Sequence, residues 1–446
     1  MIRTVPRIRP VLGATLAALL GVASLHAMAA DSAIPAFPGA MGWAAQTQGG
    51  RGGRIIKVTT LAPTGPGSLR EALDAKGPRI VVFEVGGVID LGVETVKISE
   101  PFLTIAGQTA PQPGITLIRG GIDITAHDVI VQHIRVRPGD AGLPKMGGND
   151  FDAISTVGAY NVIVDHCSLT WASDENLSAS GTRFKGDTPE QWRAGTSHRI
   201  TFSNNIIAEG LAHANHIKGE HSKGSLIHDN ARDILIVGNL YAQNVERNPF
   251  FKGGTQGWVV NNLIYNPGQR AIHYNLIAAE WAGHPYQAGR LAVIGNVMHA
   301  GPDTPANAAF FMFGGSGELD LYLHDNIAVD RIGNPIPMQG RYTTAPVAPR
   351  MLKAAPPMPF GVEPLPANQV QDAVIANVGA RPWDRDDIDR RILENTIEGR
   401  GHIIDSQDEV GGYPRHAETR QAFVPADWNL DTMEPLKPLK QRDPLR

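Results

Sequence analysis

Short apolar runs recur along most of the chain, and each is closed by Gly, Asn or Asp. Examples are "RIVVFEV", "LTIAG", "ITLIRG", "DVIVQHIRV" and "NVIVDHCSL". Runs of four to six β-branched or apolar residues that end in turn-forming residues are typical of short β-strands. The pattern therefore predicts an all-β chain built mainly from short strands and tight turns.

One phase of this pattern can be followed through six positions, each placed between a strand-like run and an apolar pair. They are Cys167, Asn205, Asn239, Asn262, Asn296 and Asn326. Their separations, from 23 to 38 residues, fit a coil of roughly 23 residues with variable insertions, which is the signature of a β-solenoid. Stacked asparagines are expected to form a hydrogen-bonded ladder with Cys167 as a buried rung. A nucleophilic role for Cys167 is disfavoured because no helix start or basic neighbour would lower its pKa.

Two other patterns flank the predicted solenoid. Ser68 and Glu71 have capping-box spacing, which predicts a short N-terminal capping helix over 69–76. From about Gly333 the sequence becomes Pro-rich, and it is expected to continue as an extended segment on the solenoid surface. The expected domains are therefore a solenoid over 30–332 and a C-terminal extension over 333–446.

Two helices are predicted within this extension, at 368–378 and 386–398. Gly379 and Gly399 are placed to end them. In the second helix, Ile388, Ile392 and Ile397 form one apolar stripe, which is expected to pack on the solenoid.

The N-terminus has the layout of a secretory signal. Arg3, Arg7 and Arg9 precede an uncharged apolar run, and Ala27-Met28-Ala29 supplies an A-x-A cleavage site, so residues 1–29 are expected to be removed. The run is too short to span a bilayer, which disfavours a retained membrane anchor. We expect a secreted protein, extracellular or periplasmic, without membrane attachment.

Composition and charge narrow the class of partner. The chain is 42% hydrophobic and 19% charged, as in ordinary globular proteins, and its net charge is −4. The predicted leader carries arginines and no acid, so its removal makes the mature chain more acidic. A nucleic-acid partner is therefore disfavoured. Any binding of an acidic polymer must then be local, through clustered cations or a bound metal. With a single cysteine there is no internal disulfide, and we expect a monomer.

Carboxylates cluster just before two of the strand-like runs. Asp150, Asp152, Asp174 and Glu175 supply four hard oxygen ligands, which suit calcium better than zinc. Asp152 and Asp174 fall on adjacent predicted coils and could share a face. The alternative is a solvated acidic loop or a set of turn caps.

Phase counting places several cations near these acids. Asp174 lies seven residues past its ladder position, whereas Arg247 and Arg270 each lie eight past theirs. Equal phase on a solenoid means the same wall, so these residues are expected to line one groove. Lys223 precedes Arg247 by about one coil.

Together these segments resemble the pectate lyases of polysaccharide lyase family 1, from about Phe37 to Asp330. The similar stretches are "GPGSLREAL", "GPRIVVFEVGGVIDL", "LTIAGQTAP", "NVIVDHCSLTWASDENLS", and "RNPFFK" in the place of an R-x-P-x-x-R motif. The resemblance implies a right-handed parallel β-helix and calcium-assisted β-elimination on polygalacturonate, an acidic polysaccharide.

The same resemblance implies roles for individual residues. Arg247 would be the Brønsted base, Lys223 would bind the substrate, and Asp152 and Asp174 would ligate Ca²⁺, with Asp150 beside them.

Two positions depart from the family pattern, and one match has a competitor. Ser178 replaces an acid, which affects calcium binding, and Lys252 replaces the second Arg of the motif, so a bidentate guanidinium becomes a point charge in substrate binding. Lys218 is the alternative residue for the family position assigned to Lys223. Lys218 and Arg270 are further candidates for substrate binding.

Three alternative functions stay open. A pectin lyase would act on methyl-esterified polymer without metal, which Asp152 and Asp174 disfavour. A β-helix hydrolase would need paired carboxylates and no role for Arg247. A non-catalytic carbohydrate-binding solenoid would be indifferent to replacement of Arg247.

Overall fold

The predicted strands form three parallel sheets in the computed structural model, which describes residues 34–344 and 347–442. Each strand pairs in parallel with the strand one coil later: Tyr160–Asp165 pairs with His198–Ser203, which pairs with Arg232–Val237. Since successive coils stack in this way, inward-facing side chains such as Leu177, Ile227 and Phe251 form one continuous buried core. The architecture is a parallel β-helix, and the predicted fold class is confirmed.

The bounds of the strands follow from the coil-by-coil pairing. The eleven-stranded sheet contains, in order, Arg54–Val58, Arg79–Phe83, Leu103–Ala106, Val129–Gln132, Tyr160–Asp165, His198–Ser203, Arg232–Val237, Gln256–Val260, Gly289–Ile294, Leu319–His324 and Arg350–Met351. The nine-stranded sheet contains Val96–Ile98, Ile122–Ile124, Ile154–Val157, Glu175–Ser180, Lys223–Ile227, Phe250–Lys252, Ile272–Leu276, Phe311–Gly315 and Gln339–Arg341.

The ten-stranded sheet closes each coil. Its parallel strands are Val85–Asp90, Ile115–Ile118, Ile134–Arg137, Ser168–Thr170, Ile206–Ala208, Leu240–Ala242, Leu263–Tyr265, Val297–His299 and Ile327–Val329. The last member, Thr419–Arg420, comes from the C-terminal segment and pairs antiparallel with Val85 and Gly86. The C-terminal segment is therefore part of the sheet system, whereas the predicted domain boundary at 332 stays a prediction.

The asparagine ladder is present as predicted. The side-chain oxygen of Asn239 accepts hydrogen bonds from the backbone N–H and the side-chain amide of Asn205, both at 2.9 Å. The same pair of bonds links Asn239 to Asn262, Asn262 to Asn296, and Asn296 to Asn326. Cys167 ends the ladder as a fully buried residue whose backbone N–H donates to Asn205 at 2.8 Å.

Four α-helices occur within the described residues, at Leu69–Asp74, Pro189–Ala194, Ala367–Asn377 and Asp387–Glu398. Short 3₁₀ turns lie at Gly107–Thr109, Ala278–Trp281, Gln407–Val410 and Pro425–Asp427. The capping helix starts as predicted, because the Ser68 side chain accepts from the Glu71 N–H at 3.2 Å. The capping box is incomplete, since the Glu71 carboxylate accepts from the N–H of Gly67 rather than that of Ser68.

Both C-terminal helices are confirmed, but one residue of the predicted apolar stripe is wrong. Ile392 is fully buried against the ten-stranded sheet, whereas Ile397 is 48% exposed. The helix is oriented by charge as well as by apolar contact, because Asp386 and Asp389 at its start bind two buried arginines of the solenoid. This anchor directs its first two turns inward and leaves the last turn at the surface.

The predicted secretory signal at 1–29 lies outside the described residues. Among the residues that the structure describes, no helix combines the length and apolar character needed to cross a membrane.

Candidate active site

The candidate site lies at one edge of the nine-stranded sheet, where the chain enters successive strands. Asp152 precedes the strand Ile154–Val157, and Asp174 precedes the strand Glu175–Ser180. Arg247 and Arg270 precede the strands that lie two and three coils after Glu175–Ser180. Lys223 begins the strand between them and is in register with Glu175. Parallel strands enter a sheet at the same edge, so residues far apart in sequence come together here. The wall inferred from phase counting is therefore real.

The carboxylates at this sheet edge lie close to one another. Asp152 accepts a hydrogen bond from the N–H of Glu175 at 3.0 Å and one from the Ser178 hydroxyl at 2.7 Å. The candidate ligand atoms of Asp152, Asp174 and Glu175 lie within 4.8 Å of one another. Burial, and then the charge of Asp174, raise the pKa of Asp152 well above its ordinary value. Such crowding favours a bound cation, which would relieve the repulsion.

Two buried histidines complete the acidic side of the site, and the sequence analysis missed both. His221 Nε2 lies 2.6 Å from Asp174 Oδ1, and His216 stacks on His221 with ring centroids 3.6 Å apart. His216 Nε2 lies 3.7 Å from Asp150 Oδ2. Because His216 Nδ1 accepts the Lys218 backbone N–H at 3.1 Å, its proton sits on Nε2 and points toward these acids. The repeated His in "HANHIKGEH" was the available signal.

The cations converge on a carboxylate that the sequence analysis also missed. Glu246 accepts from Lys223 Nζ at 2.7 Å and also pairs with Arg270. Arg247, left-handed at φ 65°, pairs with Glu175. Burial lowers the pKa of Arg247, and burial followed by the charge of Arg270 lowers the pKa of Lys223 to about 8.

The remaining predicted substrate-binding residues lie further from this cluster. Lys252 is buried at the opposite end of its strand, where it pairs with Glu280 and lies 3.3 Å from Asp229. Lys218 is exposed on the loop that carries His216. The Arg270 guanidinium lies over the Tyr342 ring, 4.6 Å from its centroid, so the Pro-rich segment borders the site.

The molecule is a parallel β-helix with a cluster of acidic and basic side chains at one sheet edge. The parallel β-helix is also the fold of pectate lyases. No protein-family model matches the chain. Curated relatives do: the chain is 38% identical over 298 residues to a probable pectate lyase C of Aspergillus terreus, covering 67% of this chain and 61% of the relative. It is 37% identical over 278 residues to the probable pectate lyase C of Aspergillus flavus, covering 62% and 57%.

The chain therefore spans about three-fifths of the length of the curated relatives it matches. Solved structures agree on the fold. The major allergen of cedar pollen superposes with a TM-score of 0.54 at 17% identity, over 76% of this chain and 92% of the allergen. A thermostable pectate lyase superposes with a TM-score of 0.51 at 17% identity, over 76% and 97%. The resemblance to pectate lyases inferred from the sequence motifs is confirmed.

Proposed function

We propose that the protein is a polysaccharide lyase that cleaves polygalacturonate by β-elimination, with Arg247 as the base and calcium as the cofactor. The observation that supports this most is the position of Arg247, a largely buried guanidinium with a lowered pKa, beside the carboxylate cluster and one coil from Lys223. A curated relative named pectate lyase and a solved pectate lyase bound to a hexasaccharide support the class of substrate.

The carboxylates fit a hard divalent cation. Asp152 and Asp174 would hold calcium with Asp150 at the edge, because all three offer oxygen donors and the raised pKa of Asp152 marks uncompensated repulsion. Ser178 stands where the family pattern has a further acid, and its hydroxyl donates a hydrogen bond to Asp152. Bound calcium would neutralise the uronate carboxylate and stabilise negative charge that develops beside it.

The chain's own residues would then carry the proton transfers. Arg247 would remove the proton on C5, alpha to the carboxylate, while the bond from C4 to the leaving oxygen breaks and a C4–C5 double bond forms. The leaving oxygen would take a proton from solvent and depart as the hydroxyl of the released chain. Arginine normally stays protonated, but burial favours its neutral form here. Lys223 would bind the substrate carboxylate, and activity is expected to favour alkaline pH, where Arg247 loses its proton more readily.

The leader at 1–29 supports the further proposal that the enzyme works outside the cytoplasm, where plant-derived polymer is found. A basic segment, an apolar run and an A-x-A site supply the pattern for export.

The test follows ultraviolet absorbance of the unsaturated product on polygalacturonate, with calcium and with chelator. Arg247→Ala should lower the rate by about 100- to 10,000-fold, the usual contribution of a general base. Arg232→Ala is the matched control, because Arg232 begins a strand of the eleven-stranded sheet on another wall. Equal rates in wild type and Arg247→Ala would contradict the assignment of the base, and folded wild type without product on pectate would refute the substrate.

A further inference from the structure

Two loops carry much of the acidic side of the candidate active site. The 138–153 loop contains Asp150, and the 209–222 loop contains His221, whose Nε2 lies 2.6 Å from Asp174 Oδ1. Neither loop, both of which the structure describes in full, contains a helix or a strand. Irregular loops take their geometry from contacts with the scaffold around them. The spacing of the acids therefore depends on what holds these two loops.

The two loops hydrogen-bond to each other. The backbone N–H of Gly148 donates to the backbone oxygen of Asn215 at 2.8 Å. The side-chain amide of Asn215 in turn donates to the backbone oxygen of Asn149, the residue that precedes Asp150. A displacement of the 209–222 loop would therefore also displace Asp150.

A short C-terminal segment, residues 404–407, contacts the second of these loops. The backbone oxygen of Ile404 accepts from the Ala212 N–H at 2.8 Å, and the Ile404 side chain is buried against apolar side chains of this loop. Asp405 Oδ1 accepts from the backbone N–H of His213 at 3.1 Å and from the His213 Nδ1–H at 2.9 Å. One carboxylate oxygen thus fixes both the main chain and the imidazole of His213.

The same segment also contacts the first loop. The Gln407 side chain is buried, and its Oε1 accepts from the Asp140 backbone N–H at 2.9 Å while its Nε2 donates to Asp140 Oδ1 at 3.0 Å. The Ser406 hydroxyl donates to Asp140 Oδ2 at 2.7 Å. Lys145 Nζ, further along this loop, lies 3.6 Å from Asp405 Oδ2. Four consecutive C-terminal residues therefore hold both loops of the acidic side.

We propose that Asp405 and Gln407 are positioning residues for the calcium site: by holding both loops, they keep the carboxylates of Asp150 and Asp174 at the spacing that Ca²⁺ requires. This role rests on the proposed function, because it presupposes calcium in the carboxylate cluster. Calcium takes oxygen ligands at about 2.3–2.6 Å, so acids on separate segments must converge before they can bind one ion. Asp405 and Gln407 act through the loops and not as ligands, because their side chains bond to the loops.

The test is calorimetric titration of Ca²⁺ into metal-free, full-length protein without substrate, together with lyase rates at increasing calcium. Asp405→Ala removes both acceptor contacts to His213 and should weaken calcium binding about 10-fold, the lower end of the range for groups that support metal ligands. Its kcat should return to the wild-type value at saturating calcium. Asp405→Asn keeps an oxygen acceptor in the same place and should restore the affinity. Gln407→Ala should weaken binding as well, because it releases Asp140.

Asp408→Ala is the matched control for the loss of one negative charge. The Asp408 carboxylate is exposed and accepts from Gln407 at 3.4 Å, but among the described residues it has no hydrogen bond to either loop. This variant should bind calcium as wild type does. Equal weakening in Asp408→Ala and Asp405→Ala would assign the effect to charge alone and overturn the positioning role.

The titration also separates this role from the proposed function. If wild type binds calcium and Asp405→Ala binds it equally well, the positioning role is overturned and the proposed function stands. If wild type binds no calcium at millimolar concentration, the calcium cofactor is refuted and the positioning role falls with it. The Asp405 side chain is 39% exposed, so its replacement is expected to leave the fold intact, which circular dichroism checks. Should Asp405→Ala not fold, Gln407→Ala decides the outcome by the same comparison.

Discussion

The C-terminal helix is fastened to the solenoid by a buried ion cluster, and its removal gives the sharpest stability prediction. Asp389 accepts hydrogen bonds from Arg137 Nη2 at 2.7 Å, from Arg135 Nε at 3.3 Å and from the Ser168 hydroxyl at 2.7 Å. Its side chain and those of both arginines are 1% exposed or less. Asp389→Asn would keep the shape of the side chain and remove its charge.

The magnitude follows from what is left behind. Removing one partner of a buried ion pair typically costs about 3–5 kcal/mol, because the remaining charge is buried without compensation. In Asp389→Asn, Asp386 alone would face both guanidinium groups. We therefore expect the free energy of unfolding to fall by about 3–5 kcal/mol, with the C-terminal helices released first.

The assay is urea unfolding by circular dichroism together with limited proteolysis of the C-terminal segment. Asp387→Asn is the control on the same helix, because the Asp387 side chain is 93% exposed and its pair with Arg390 lies at the surface. Surface pairs contribute about 0–1 kcal/mol, so this variant should resemble wild type. If Asp389→Asn and Asp387→Asn were equally stable and equally resistant, the ion cluster would not be the fastening element.

The same cluster gives the acid dependence a sign. Burial alone raises the pKa of Asp386, but Arg135 and Arg137 outweigh it and hold that pKa below its ordinary value. A carboxylate with a depressed folded-state pKa stabilises the fold above its unfolded pKa, near 4, and this stabilisation is lost as the pH falls further. Protease resistance of the C-terminal segment should therefore decline below about pH 4, and a constant resistance down to pH 2 would contradict this.

Three further outcomes are expected. Asn239→Ala should lower the free energy of unfolding by about 2–4 kcal/mol, because it removes the acceptor of the buried Asn205 backbone N–H and the amide that donates to the backbone oxygen of Phe202. Asn326→Ala at the ladder end should cost less, and equal losses in urea unfolding would count against the ladder. The thiol of Cys167, whose pKa burial raises to about 12, should not react with a thiol reagent in folded protein at pH 8 and should react after unfolding; rapid reaction of the native protein would show that the rung is accessible. Lys223 is charged below its pKa of about 8, so its contribution to substrate binding should decline above pH 8. Lys223→Arg should move this decline to higher pH when KM is measured against pH. If the KM profiles of the two proteins superpose, Lys223 does not bind the substrate.

Much of the fold could be predicted from sequence because every coil of a solenoid repeats the same local pattern of strands and turns. Each coil needs a short apolar strand and a turn residue, and the ladder position needs a buried amide that bonds to both neighbours. Asn205, Asn239 and Asn262 therefore show in sequence the contacts they make in the structure. Helix starts and ends were predictable for the same reason, since Ser68 and Gly399 act within one or two turns of the chain.

The contacts that were missed depend on residues far apart in sequence. Ile397 matched an apolar stripe, but the arginines that orient its helix lie about 250 residues earlier. His216 and Glu246 sit on loops of variable length, where strand periodicity does not indicate which side chain points to the site. Only the stacking of coils brings Glu246 to Lys223 and Arg270.

The most direct test of the proposed elimination is the fate of solvent oxygen. Polygalacturonate would be cleaved in heavy-oxygen water with calcium present, and the products analysed by mass spectrometry for wild type and Arg247→Ala. The account predicts unsaturated products that carry no heavy oxygen, formed by wild type and lost in Arg247→Ala. Saturated products in which one heavy oxygen enters for each bond cleaved, at the new reducing end, would show hydrolysis and contradict the account.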